Sequence, residues 1–148
     1  MTANSVGMAS DPIDGYALGV DPQVVATEDG GRTKPIGIAD EYPPMQYRPN
    51  WGLPGMAPPE QTGAPVVCFG SYPVLPGDTL RAVIIPMFPD RVGAWSFVEV
   101  GDPLLMYEGS RVCGRATVRW VRRSQHPVPE SDQARFCDWA GGGPDPVA

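Results

Sequence analysis

The sequence predicts an all-β protein, a small closed barrel or sandwich of about six short strands. Three observations carry this expectation. Glycine (18) and proline (19) make up a quarter of the 148 residues and alternate with strand-like segments, which implies many turns. From Arg115 the side chains alternate, with Ala116, Val118 and Trp120 pointing one way and Arg115, Thr117 and Arg119 the other. Such a period of two marks a strand with one wet face. No helical period persists over a stretch of about ten residues or more.

Taken in order, residues 1–21 are small, acidic and turn-rich and read as an N-terminal arm. Residues 22–27, PQVVAT, read as a short strand, and EDGGR (28–32) turns the chain. Prolines at 35, 43, 44, 49, 54, 58, 59 and 65 exclude a long helix in the next segment, which is expected to be irregular or edge-strand chain. Tyr42, Tyr47 and Trp51 are expected to pin that loop to the surface of the barrel. VVCFGSYPV (66–74) reads as a strand broken before Pro73. Pro76-Gly77 suits a type II turn. TLRAVII follows as a central strand covered on both faces, with Leu80, Ala82 and Ile84 opposite Arg81, Val83 and Ile85. LLMYEGSRVCGRATV reads as a hairpin turning at EGSR. These assignments give a β-barrel domain over 22–124 and a Pro/Gly-rich C-terminal tail over 125–148, in which Phe136 and Trp139 are candidate anchors.

Composition narrows the function classes. No apolar run approaches the ~20 residues of a spanning helix, so no membrane is expected. Residues 1–20 lack a basic start and a continuous apolar block, and the expected location is cytoplasmic. A net charge of −6 disfavours diffuse attraction to nucleic acid, while leaving room for a local basic patch. Cys68, Cys113 and Cys137 are too widely spaced for a C-x-x-C metal or redox motif. Cys68 and Cys113 are expected to be buried strand thiols, and the state of Cys137 is open. The single histidine, His126, lies beyond the expected barrel, and the paired acids Glu28–Asp29 and Asp40–Glu41 lie in turn-like chain. Neither supports a catalytic site, a metal or a cofactor, so no enzymatic activity is expected.

Four motifs, in order, resemble one family. TEDGGRTKPI, YRPNW, LPGDTLRAVI and YEGSRVCGRATV are similar to segments of the third domain of bacterial elongation factor Tu. The resemblance covers roughly residues 22–123 and implies a six-stranded antiparallel Greek-key barrel. In the factor this barrel helps to grip the T-stem of aminoacyl-tRNA and docks on the GTPase domain and on exchange factor. Arg32 and Arg48 match the motif arginines. Two departures stand out: the segment between Arg32 and Tyr47 is longer and richer in proline, and no G-x-x-x-x-G-K-[ST] occurs, so no GTP is expected to bind.

The Gly30-Gly31 corner permits a tight reversal that projects Arg32 toward a phosphate or carboxylate, or else lets it pair with Glu28 or Asp29. Five of the eleven basic residues, Arg111, Arg115, Arg119, Arg122 and Arg123, fall within thirteen positions. Arg115 and Arg119 would then sit ~13 Å apart on one face, with Trp51 or Trp120 available to stack on a base. Met45, Tyr47, Trp51 and Met56 form the other candidate surface. The expected function is a non-catalytic adaptor for a protein partner, translation-linked if the resemblance extends to function. Its expected binding residues are Arg32, Tyr47, Arg48, Trp51, Arg115 and Arg119. An RNA-binding barrel and a structural subunit of a large assembly, such as a virion or injection device, are the alternatives.

Overall fold

The computed structural model describes residues 13–37, 47–87 and 93–146. The described residues are mostly antiparallel β-sheet with one short α-helix. The strands are β1 (Ile13–Val20), β2 (Gln23–Val24), β3 (Asn50–Gly52), β4 (Thr62–Gly63), β5 (Val66–Phe69), β6 (Ala82–Ile84), β7 (Pro103–Glu108) and β8 (Arg111–His126), and the helix is α1 (Glu130–Ala140). The spatial order is β4-β3-β7-β8-β1-β6-β5, with β2 also paired to β8. Among the described residues no helix is long and apolar enough to cross a membrane.

The 16-residue β8 organises the sheet. Its first half pairs with β7 and its second half with β1. The β7–β8 turn is the expected hairpin: Glu108 pairs with Arg111, and Gly109 takes the positive φ of 62° that such a turn needs. The Pro76-Gly77 turn also forms as expected. Gly77 has φ 94°, and the Asp78 N–H donates to Leu75 O at 3.0 Å.

Among the described residues eight strands form where six were expected, and the ladders alone do not close them into a barrel. β4 and β5, at the two ends of the order, are separated along the chain by only Ala64 and Pro65.

Two apolar clusters lie on opposite faces of the sheet. Leu18, Val20, Trp51, Val66, Ile84, Leu104, Met106 and Val118 belong to the first. Ala17, Cys68, Val83, Ile85 and Trp120 meet Phe136, Trp139 and Ala140 of α1 in the second. β6 therefore is the doubly covered central strand that its sequence predicts. Ala82 and Ile84 enter one cluster and Val83 and Ile85 the other.

Three sequence expectations need correction. The arm assigned to residues 1–21 contains β1, a strand hydrogen-bonded to both β6 and β8. Asp14, Gly15 and Gly19 dilute its alternation, so the strand owes its existence to pairing with neighbours more than to local preference. The tail assigned to 125–148 begins with the end of β8 and then forms α1. Glu130 and Asp132 in the first turn suit the positive end of the helix, and Phe136, Trp139 and Ala140 form its single apolar patch at i, i+3 and i+4. Finally, Trp120 leaves the side shared by Ala116 and Val118. A bulge opposite Gly19/Val20 shifts the register, so Trp120 turns toward α1. Gly19 makes this possible, because a methyl group there would lie 2.1 Å from Trp120 Nε1.

Candidate functional site

The corner that carries Arg32 is built from backbone constraints. Thr27–Asp29 form a short 3-10 turn, and the Gly30 N–H closes it on Thr27 O at 3.1 Å. Gly30 has φ 94°, which favours glycine. Gly31 has no room for a side chain, since a Cβ would lie 2.0 Å from Val25 O. The two glycines thus fix the exit direction of Arg32, and Thr27 Oγ1 donates to Arg32 O at 2.7 Å to hold it.

Arg32 does not pair with Glu28 or Asp29. Its Nη1 donates to Glu108 Oε2 at 2.6 Å, and its Nε donates to Lys34 O at 2.7 Å. Glu108 ends β7, 76 residues further along the chain. The same carboxylate oxygen accepts from Tyr47 OH at 2.6 Å. Tyr47 OH also lies 3.8 Å from Cys113 Sγ, and the Arg32 guanidinium stands 5.7 Å from the Tyr47 ring centre. Arg111 approaches the other Glu108 oxygen at 3.9 Å, from a largely exposed position. One carboxylate therefore ties the Gly-Gly-Arg corner, the YRPNW segment and the β7–β8 hairpin together.

Burial raises the Tyr47 hydroxyl pKa well above its ordinary value, and the nearby Cys113 and Glu108 reinforce this. Burial, then the Glu108 charge, push the Cys113 thiol from 9.0 to about 11. A raised folded-state pKa stabilises the folded chain fully below the unfolded value, and the effect is lost as pH rises through the folded one. The Cys113 contribution alone is accordingly expected to lower the unfolding free energy by about 2–3 kcal/mol as pH rises from about 9 to about 11. Denaturant titrations across that range check it. Cys113→Ala makes the decline shallower from about pH 9 upward, and the slope that is left belongs to the other raised groups, Cys68 and Tyr47.

Beside this network lies a cleft of about 420 Å³, lined by Arg32, Tyr47, Arg48, Asn50, Tyr107 and Glu108. Arg48 is exposed and has no hydrogen bond or ion pair with any described residue. Tyr107 carries a buried hydroxyl without a partner among the described residues. Arg32 and Arg48 line the cleft with Glu108 as its one carboxylate, so the cleft is locally cationic in a chain of net charge −6. Such a site suits a carboxylate or phosphate, which an arginine fork recognises through paired N–H donors.

The other predicted residues are placed differently. Trp51 is fully buried and donates from Nε1 to Ala64 O at 3.0 Å, so it is a core residue. Trp120 is equally buried, and no base can stack on either. Tyr47 is also part of the core, and Met56 packs against it. Tyr42 and Met45 lie outside the described residues. The arginine run is divided among separate tasks. Arg119 pairs with Asp21 at 3.2 Å, and Arg122 donates to Pro146 O at 2.6 Å beside α1. Arg123 stands 5.9 Å from the Tyr16 ring centre. Arg115 alone is exposed with no partner among the described residues, in a separate hollow with Gln23 and Leu105.

His126, at the end of β8, lines an apolar groove of about 240 Å³ with Arg48, Val67 and Ile85, and no serine, cysteine or acid joins it there. Among the described residues no three His, Cys, Asp or Glu side chains come together to hold a metal.

Sequence reasoning missed Glu108, Cys113, Asn50 and Tyr107. Glu108 lies within the quoted YEGSR turn, but nothing local identifies its partners.

The chain matches no protein-family model, and no curated protein is significantly similar to it.

Proposed function

We propose that the chain is a non-catalytic adaptor that grips an acidic segment of another protein in the Arg32–Arg48 cleft. The carrying observation is the pairing pattern. Glu108 fixes Arg32, while Arg48 next to it has no partner among the described residues. A fixed wall beside an uncommitted cation is what recognition of an anionic group requires. A protein partner is favoured over RNA because both tryptophans offered for base stacking are core residues and the chain is acidic. The proposal includes no cofactor and no nucleotide.

The same reading treats the sheet as a six-stranded barrel. Thr62–Phe69 counts as one bent strand that pairs with β3 at one end and β6 at the other. Support comes from the first apolar cluster, to which β1, β3, β5, β6, β7 and β8 all contribute. A likeness to the third barrel of elongation factor Tu, and with it a translation-linked partner, belongs to this proposal as an analogy of fold.

Capture of partners from the native cell tests the reading. Arg48→Glu is expected to weaken retention at least about tenfold, the scale of one lost charge-assisted contact. Nuclease treatment is expected to leave it unchanged. If nuclease releases the partner and Arg115→Ala weakens it instead, the RNA reading replaces this one.

A further inference from the structure

We propose that Cys68 and Cys137 are a redox modification site: they join in a reversible disulfide that fastens α1 to the sheet. Both thiols are free in the structure. Cys68 sits on β5 within the second apolar cluster, and Cys137 packs against that cluster from α1. The helix packs directly on β5 and β6, and the two thiols are close enough for each to perturb the ionisation of the other. Cys113 has no part in this, since it lies in the other cluster beside Tyr47.

The surroundings assign a role to each thiol. Cys68 is 7% exposed, whereas Cys137 is half-buried and reachable from solvent. Interaction with Cys68 holds the Cys137 pKa below its ordinary value, and interaction with Cys137, together with burial, raises that of Cys68. Tyr72 is the ionisable neighbour of both; its hydroxyl accepts from the Phe69 N–H at 2.9 Å and is itself kept protonated by burial. Cys137 is therefore the attacking thiolate and Cys68 the resolving thiol.

The oxidant is a low-molecular-weight disulfide. The Cys137 thiolate attacks one of its sulfurs, forming a mixed disulfide and releasing one thiolate. Cys68 then attacks the Cys137 sulfur, gives up its proton and expels the second thiol. Two protein thiols lose two electrons and two hydrogens, and the small disulfide is reduced to two thiols. The new bond ties α1 to the strand that it already covers. Arg81 already holds the same C-terminal end of the helix, donating to Trp139 O at 2.9 Å and Gly143 O at 3.3 Å.

The test treats the folded, reduced chain with oxidised glutathione and maps its peptides by mass spectrometry. The expected product is monomeric, lighter by two hydrogens, with the Cys68 and Cys137 peptides linked. It melts at a higher temperature than the reduced chain, and dithiothreitol reverses both changes. Cys113→Ser still forms the link. Cys137→Ser does not, and its melting temperature no longer responds to oxidant. A glutathione adduct that persists on Cys137 without internal closure, a link through Cys113, or dimers joined by Cys137 would each overturn the proposal. The mapping of the wild-type chain decides the matter even if a variant folds poorly.

Discussion

Replacing Trp120 by alanine lowers the unfolding free energy by about 4 kcal/mol, within the range for truncating a buried tryptophan. The size of the effect follows from position. Trp120 is 1% exposed, its ring centre lies 5.2 Å from that of Phe136 and 5.4 Å from that of Trp139, and it fills the space left by Gly19. It is the main aromatic contact between sheet and helix. The variant is therefore expected to lose α1 before the sheet, so helical circular dichroism should decay at lower denaturant than Trp51 burial. Thr117→Ala, on the exposed face of the same strand, changes stability by less than about 0.5 kcal/mol. If Trp120→Ala costs under about 1 kcal/mol, the helix is not anchored as described.

Removing the Glu108 carboxylate has the second-largest effect. Glu108→Ala is expected to cost about 3 kcal/mol, because it leaves an unpaired guanidinium and an unpaired hydroxyl in a mostly buried place. The Arg32 and Glu108 side chains are only 14% and 24% exposed, so solvent replaces the lost partner poorly. Arg32→Ala alone costs less, since Tyr47 still donates to the carboxylate at 2.6 Å. The double variant should cost less than the sum of the two, with a coupling of about 2 kcal/mol in the cycle. Additive costs would mean that the short Arg32–Glu108 contact contributes nothing beyond its geometry. Denaturant midpoints of the three variants measure this directly.

How much of this was legible depends on whether a signal is local. Arg115, Thr117 and Arg119 were readable as a wet face because alternation is local, and β6 because Ala82, Val83 and Ile84 leave no polar side. The turns at Gly77 and Gly109 were readable because a positive φ selects glycine. Hidden features depend on distant chain. β1 carries two glycines and an aspartate and is a strand because β6 and β8 flank it. α1 presents one patch at i, i+3 and i+4, too short to register as a period. The bulge that turns Trp120 to the other face arises from pairing with Gly19, which no pattern within β8 foretells. The candidate site divides in the same way. Gly30, Gly31 and Arg32 drew attention as a corner, but the partner of Arg32 is Glu108, 76 residues away, and local spacing pointed to Glu28 or Asp29.

Site-specific photocrosslinking in the native cell is the decisive check on partner binding in the Arg32–Arg48 cleft. A photoreactive residue at position 48 lines the cleft, and one at position 115 marks the separate arginine hollow. Position 48 is expected to give an adduct that survives nuclease and is destroyed by protease, with little or none from position 115. A nuclease-sensitive adduct, or crosslinking confined to position 115, would contradict it.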